Sequence, residues 1–243
     1  MIPRLLLAIF LMFWHSAILA VSPLVVDDAD TVEPGRLQLN AGWQVTRTGS
    51  ESLFSLPINP VLGLNSRAEL GATFGYLWRR GTADADGISD MAIASKWHLW
   101  HTPDEKFKVT TRIDLKVPIA SESNGLGTGN WDTGVVLIAT REWGRTYVDW
   151  NIGYSANDLS SGDFGDDHWF LGQAVRQRLS DRWTAIGEIF AVLPHSDGSA
   201  DIHFDGGAQL TVRGNVLVSA LIGSAVGQGS PDLTSYLGFT LVY

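Results

Sequence analysis

The chain has 243 residues, no cysteine, 26 glycines, ten tryptophans and a formal net charge of −9. The acidic balance argues against a nucleic-acid-binding protein, which would carry a basic face. The absence of cysteine excludes a disulfide scaffold, thiol catalysis and a cysteine-based zinc site. No motif in the sequence requires a cofactor or another metal site.

The first twenty residues have the layout of a secretory signal peptide. Arg4 supplies a positive start, an unbroken apolar run follows from Leu5 to Phe13, and Ala20 ends a stretch of small residues. A membrane-spanning helix needs about 20 apolar residues, so this run is too short to span comfortably. We therefore predict a signal peptide over residues 1–20, with an uncleaved membrane anchor as the alternative.

The clearest strand signal lies between Lys106 and Val117, where polar and apolar residues alternate. A period of two gives a strand two different faces but gives a helix none. A strand of a membrane barrel needs about 9–11 residues to cross the bilayer. The alternation recurs in about twelve segments, which begin near residues 36, 52, 66, 88, 106, 131, 146, 168, 182, 202, 215 and 233. An even number of strands is typical of single-chain bacterial barrels.

The links between these segments alternate in length. Short links such as 144–145 and 213–214 alternate with long ones such as 120–130 and 155–167, and only the link 47–51 is intermediate. Outer-membrane barrels have short periplasmic turns and longer extracellular loops. The sequence therefore predicts an all-β, single-domain antiparallel transmembrane β-barrel of about 12 strands. We expect this barrel to cover residues 35–243 and residues 21–34 to form an N-terminal periplasmic segment.

Alternation alone does not say whether the apolar face meets lipid or a core, and a soluble lipocalin-like barrel would turn it inward. The export signal, the loop asymmetry and two belts of tryptophan favour the membrane arrangement. The last strand adds a fourth feature, because its aromatic end resembles the signal by which the barrel-assembly machinery recognises its substrates. The residues of this signal are Tyr236, Gly238, Leu241 and Tyr243.

If the apolar face meets lipid, the polar face lines a lumen. The ionisable residues on that face include Glu69, Asp90, Lys96, Lys108, Arg112, Asp114, Lys116, Asp149, Arg176, Glu188 and Asp205. One interpretation is a conduit whose basic strand attracts anionic solutes, since charged pore linings steer ions. The other is an interior closed by ion pairs, which would conduct little.

The segment before the first strand is acidic, with Asp27, Asp28 and Asp30 close together. We predict that it folds back and contacts lysine or arginine side chains of the lumen from the periplasmic side, as a plug. The alternative is a flexible tail, which is common at chain ends.

Several short motifs spread over the mature chain resemble those of one family. They read LVVDD at 24–28, VEPGR at 32–36, GISD at 87–90, KVP at 116–118 and NIGY at 151–154, together with the glycine loop 125–129 and the final strand. The family is a group of outer-membrane transporters named after a meta-pathway (MetA) of phenol degradation. The resemblance implies a barrel fold and the passage of small molecules, aromatic or anionic ones among them. It implies no catalytic residues.

Two rival functions stay open. An outer-membrane lipid hydrolase is suggested by Ser123, but the related phospholipase motif needs a histidine where Ser121 stands. His98 and His101 are three residues apart, which in a regular strand puts them on opposite faces. The second rival is a structural or surface-binding barrel with a closed lumen. As partners we expect outer-membrane lipid and lipopolysaccharide, the barrel-assembly machinery and a small-molecule solute, but no nucleic acid.

Overall fold

The computed structural model describes residues 23–159, 167–195, 199–227 and 229–243, so the predicted signal peptide lies outside the described residues. The described residues contain thirteen β-strands. They are β1 (Leu37–Thr48), β2 (Glu51–Asn65), β3 (Ala68–Arg80), β4 (Ala85–Ile88), β5 (Met91–His101), β6 (Phe107–Val117), β7 (Asp132–Trp143), β8 (Thr146–Ala156), β9 (His168–Arg178), β10 (Trp183–Pro194), β11 (Asp201–Arg213), β12 (Val216–Val226) and β13 (Leu233–Val242). Apart from the fourth, every predicted strand start lies within two residues of an observed one.

The strands close into a ring. Strand β1 pairs with both β2 and β13, and each further strand pairs antiparallel with its neighbours around to β3, which pairs back to β2. At the seam, the backbone N–H of Tyr243 donates to the carbonyl oxygen of Leu37 over 2.8 Å. Among the described strands, every one except the short β4 has a paired neighbour on both sides, as strands that span a membrane require.

One position of the ring holds two strands instead of one. Strand β3 pairs with β4 along 76–79 and with β5 along 68–73. Asp90 lies at the interruption, and its carboxylate accepts hydrogen bonds from the backbone N–H groups of Ile119 and Ala120, each at 3.0 Å. The predicted fourth strand is therefore divided, because this residue holds the loop after β6. The barrel has twelve strand positions and one extra strand.

The outer surface of the barrel is apolar. On β3, Leu70 and Phe74 are exposed on the outside, whereas Glu69 and Thr73 point inward. The same division runs around the ring, with exposed apolar side chains such as Ile113, Val135, Leu137, Ile152, Leu171, Ile189, Phe204, Ile222 and Phe239. An outward apolar band that surrounds a polar interior is the arrangement of a barrel that spans a membrane.

Exposed tryptophans lie towards both ends of the strands. Trp100, Trp143 and Trp183 lie near the short turns, and Trp131 and Trp169 lie near the long loops. Their rings suit the headgroup layers on the two sides of a bilayer. The described residues contain no helix that is long and apolar enough to cross a membrane.

Candidate functional site in the barrel lumen

The residues that precede β1 run through the inside of the barrel. We call residues 23–34 the inner segment. The backbone N–H of Val26 donates to a carboxylate oxygen of Glu188 on β10 over 2.7 Å. Further along, the N–H of Val32 donates to the carboxylate of Glu69 on β3 over 2.5 Å. Since these strands are far apart in the ring, the inner segment crosses the lumen from one side to the other.

Two carboxylates of the inner segment are held by three cations of the barrel. Asp27 pairs with Lys96 of β5 at 3.1 Å and with Arg112 of β6 at 2.7 Å. Asp28 pairs with Arg176 of β9 at 3.1 Å. Lys96 is almost fully buried, with 6% of its side chain exposed, so its charge depends on these partners.

Another ion pair between the inner segment and the barrel is more exposed to solvent. Lys108 of β6 pairs with Asp30 at 2.6 Å, and both side chains are partly exposed. Beside it, the Thr110 hydroxyl donates to the carbonyl oxygen of Ala29 over 2.7 Å. We call Lys96, Lys108, Arg112 and Arg176 the charged wall of the lumen.

The opposite side of the inner segment is apolar. Leu24 and Val26 are buried against side chains of β9, β10 and β12, which we call the apolar wall; its members are Ala174, Ile186, Phe190 and Leu221. Gly172 of β9 leaves room for this contact, because a Cβ added there would lie 2.5 Å from Cγ2 of Val26. The glycine therefore permits a close approach that a side chain would block.

The other predicted lumen residues pair with the first set. The Nε atom of Arg112 lies 3.1 Å from a carboxylate oxygen of Asp114, and the Nε atom of Arg176 lies 2.8 Å from one of Asp149. Lys116 lies against Asp132 and within 4.0 Å of Asp90. Asp205 is the cross-strand partner of Glu188. All eleven predicted residues thus lie on the inner face, and those that contact the inner segment directly are Glu69, Lys96, Lys108, Arg112, Arg176 and Glu188.

The long loop 118–131 also enters the site, which the sequence reasoning missed. Arg79 donates to the carbonyl oxygens of Asn124 and Gly125 at 3.0 and 3.3 Å. Leu126 is buried, and a Cβ added at Gly87 would lie 2.7 Å from its Cδ1. The loop therefore folds over the inner face of β3 and β4, at the end of the barrel opposite to the start of β1 and the end of β13. The glycines at 87, 125 and 127 were the available signal for such close packing.

Further residues that sequence reasoning missed are neutral. The Asn151 side chain donates to the Asp27 carbonyl oxygen over 2.8 Å and accepts from its N–H over 2.9 Å. Thr140 accepts from the N–H of Ala29 over 2.8 Å and donates to Asp149 over 2.7 Å. Single amides and hydroxyls on a polar face give no pattern that distinguishes a binding residue from an ordinary lumen residue.

The four residues of the predicted assembly signal divide between two faces. Tyr236 points inward and packs over Gly42, where a Cβ would lie 2.5 Å from the tyrosine ring. Gly238 lies beside the same ring, whereas Leu241 and Tyr243 belong to the outward set, and Tyr243 is exposed. Their role in assembly stays a prediction.

The candidate hydrolase residues do not assemble in the way the motif would need. Ser123 lies against Ser121, with 3.2 Å between the two hydroxyl oxygens. The expectation for His98 and His101 was wrong, because their rings are 5.2 Å apart. A β-bulge between His98 and Trp100 adds a residue to β5 and turns both rings to the same side. Among the described residues, no group of three His, Asp or Glu side chains could hold a metal ion.

Comparisons with known proteins agree with this architecture. The model of the family described as "Putative MetA-pathway of phenol degradation" matches residues 22–242. No curated protein matches the sequence.

Among solved structures, the outer membrane channel from Pseudomonas putida F1 is similar with a TM-score of 0.73 and 13% identity, over 89% of this chain and 98% of that one. The KdgM porin has a TM-score of 0.61 and 8% identity, over 84% and 98%. The CymD monoaromatic hydrocarbon channel has a TM-score of 0.52 and 10% identity, over 96% and 92%. The predicted fold class is confirmed.

Proposed function

Because the chain belongs to the "Putative MetA-pathway of phenol degradation" family and folds as a Gram-negative outer-membrane barrel, we propose that it is a channel for small molecules. We further propose that the inner segment regulates passage by occupying the lumen. The observation that carries both proposals is that the inner segment crosses the lumen, held by ionisable side chains of the surrounding barrel wall. The solved structures named above support a channel through their descriptions as an outer membrane channel, a porin and a hydrocarbon channel.

The inner segment is held in a way that permits it to leave. The backbone N–H groups of Val25, Val26, Asp27, Ala29 and Val32 donate to side chains of the barrel. A strand could not be withdrawn without breaking a backbone ladder, whereas these contacts can be exchanged for water one by one. The barrel itself would stay closed, since its ring of strands does not include the inner segment.

The lumen would favour anions near the charged wall. Lys96 and Lys108 form ion pairs with acidic residues of the inner segment. When the segment leaves, their charges face the lumen, and cationic side chains in a pore lining attract anionic solutes. Loop 118–131 would then narrow the extracellular entrance, because it folds over the inner face of the wall.

Single-channel recording in a planar bilayer tests this function on the full-length protein. The release variant is Asp27→Asn/Asp28→Asn, which keeps the shape of both side chains and removes both charges. We expect discrete chloride current, with an open fraction at least about tenfold above wild type, since weakening the docked state by about 1.4 kcal/mol shifts its equilibrium tenfold. Glu33→Gln is the matched control in the same segment, because Glu33 is highly exposed.

The outcomes separate the two halves of the proposal. A silent bilayer for folded wild type and for the folded release variant would contradict the channel and favour a closed, surface-binding barrel. Equal open fractions in wild type, release variant and control would support the channel function and contradict regulation by the inner segment. We propose no catalytic activity for the barrel, and lipid hydrolysis by the purified protein, lost in Ser123→Ala, would contradict this.

The exterior and the last strand suggest the remaining partners. The apolar outer band would meet outer-membrane lipid and lipopolysaccharide, and the final strand would be read by the barrel-assembly machinery. Tyr243 directly follows β13 and is 62% exposed, which suits recognition before insertion. In cells, Tyr243→Ser should lower the fraction of heat-modifiable, folded barrel in outer-membrane fractions, whereas Ser66→Ala in a short turn should not.

A further inference from the structure

The inner segment joins an apolar group and a carboxylate within two consecutive residues. Val26 packs on the apolar wall, and Asp27 pairs with Lys96 and Arg112 of the charged wall. The two residues are consecutive, with Cα atoms about 3.8 Å apart, and their side chains point to different walls. A small molecule with a carboxylate at one end and an apolar body at the other could therefore present both groups to the same two walls.

Each half of this site is complete on the barrel side. Lys96 and Arg112 are 6% and 13% exposed, and they reach the same carboxylate from two strands. On the other wall, Phe170 lies beside Phe190 with 5.7 Å between the ring centroids. His203 stacks on Phe190 at 4.4 Å with an interplanar angle of 8°. An aromatic surface therefore faces the space that Leu24 and Val26 fill.

The charge balance shows what a vacated site would need. Arg112 keeps Asp114 as a partner, and Arg176 keeps Asp149. Among the described residues, the ion pairs of Lys96 within 4.0 Å are those with Asp27 and Asp28 of the inner segment. Glu69, the cross-strand neighbour of Lys96, stays on the barrel wall and attracts it. Removing the segment therefore takes away two of the three carboxylates near the buried ammonium group, which is unfavourable. An anion bound beside Lys96 and Arg112 would restore the balance.

We propose that the lumen between the two walls is a binding site for small carboxylates with an apolar, aromatic body, and that the inner segment occupies it as an internal mimic. The carboxylate of the solute takes the place of Asp27, and its ring takes the place of Val26 beside Phe170 and Phe190. The inference rests on the proposed channel function and names the substrate class of its lumen. Solute and inner segment would exclude each other, so a bound solute displaces the inner segment and itself occupies the path of small ions.

The test compares benzoate with acetate on the full-length release variant Asp27→Asn/Asp28→Asn. Both anions carry the same carboxylate, and they differ by the ring. In a planar bilayer with chloride as the carrier, we expect benzoate to reduce the current at a half-blocking concentration about tenfold below that of acetate. In wild type the half-blocking concentration of benzoate should be higher, because the inner segment competes.

Three variants assign the effect to the two walls. Phe190→Leu keeps an apolar side chain and removes the ring, and Phe190→Ala removes most of the side chain; both should reduce the preference for benzoate over acetate. Lys96→Gln should weaken both anions alike. Equal half-blocking concentrations of the two anions, or a benzoate preference that survives both changes at Phe190, would overturn the proposal.

Calorimetric titration of the same folded protein in detergent separates this proposal from the channel itself. Benzoate heats that are saturable, larger than those of acetate and reduced by Phe190→Leu would support the site even if no current were seen. In that case only the channel function would fail. Chloride current without any benzoate-specific block or heat would overturn the proposed binding site, whereas the proposed channel function would stand.

Discussion

The two walls of the lumen hold the same segment by different means. The charged wall binds Asp27 and Asp28 through ion pairs at 2.7–3.1 Å, each with a fixed direction and a specific partner. The apolar wall binds Leu24 and Val26 through non-directional packing. A buried ion pair gains little net free energy over a well-packed apolar contact, but losing one partner is costly. The comparison suggests that the charged wall fixes the register of the inner segment and that the apolar wall supplies much of its affinity.

The largest expected effect comes from breaking the charged wall with Arg112→Glu. The change removes the 2.7 Å partner of Asp27 and places a third carboxylate beside Asp27 and Asp114. Breaking a buried pair costs about 3–5 kcal/mol, which is a factor of roughly a hundred to several thousand in the docking equilibrium. Because the chain has no cysteine, a single Ala29→Cys thiol, buried in the docked state, can report undocking by its rate of modification.

The control for this measurement is Arg36→Glu in the same thiol background. Arg36 pairs with Glu33 at 3.7 Å on an exposed surface, and such pairs contribute little. A modification rate that rises equally in both variants would show that charge alone, and not the charged wall, governs docking. Heat-modifiable migration of each variant verifies that the barrel is folded.

The charged wall could be predicted from sequence, whereas the apolar wall could not, and β10 shows why. Along this strand Ile186 and Phe190 point inward on either side of Glu188, while Ile189 points outward. Because both faces of β10 carry apolar residues, the alternating pattern identifies only Glu188 as a residue that points into the lumen. Sequence reasoning therefore finds inward charges, because charges are costly on the lipid face, but it has no rule that places an apolar side chain inside.

The strand positions were predictable for a related reason, and the interruption in the fourth strand was not. Period-two patterns and turn residues fix where strands start, and they are local features. At the division between β4 and β5, Asp90 accepts hydrogen bonds from Ile119 and Ala120, about thirty residues away, a contact that no local pattern shows. The ion pairs of Asp27 and Asp28 were expected as a group, but their individual partners depend on barrel closure, which no local pattern encodes.

A smaller effect is expected from overfilling the apolar wall with Gly172→Ala. The new methyl group would lie 2.5 Å from Cγ2 of Val26, so the valine must move. Overpacking typically costs about 1–3 kcal/mol, which should raise the thiol modification rate by a factor of about 5 to about 140. Combining it with Val26→Ala makes room for the methyl group. We expect the double variant to dock better than the sum of the single changes predicts.

The double-mutant cycle sharpens the comparison between the walls. Additive effects of Gly172→Ala and Val26→Ala would mean that the two side chains do not meet, and the apolar wall would lose its proposed contribution. Gly187→Ala is the matched control on the neighbouring strand, because the nearest atom to a Cβ there is 3.6 Å away, an ordinary contact.

The smallest expected effect is that of Lys108→Gln, which probes the exposed end of the charged wall. Lys108 and Asp30 are 2.6 Å apart, but their side chains are 27% and 51% exposed. Exposed pairs contribute about 0.2–1 kcal/mol, so the thiol modification rate should rise less than about fivefold. The difference from wild type should disappear near 1 M salt, where the screening length is only about 3 Å. The effect of Arg112→Glu should persist there, because buried charges are screened much less. If both variants lost their effects at high salt, the charged wall would behave as an open, hydrated surface, and its role in fixing the register of the inner segment would have to be abandoned.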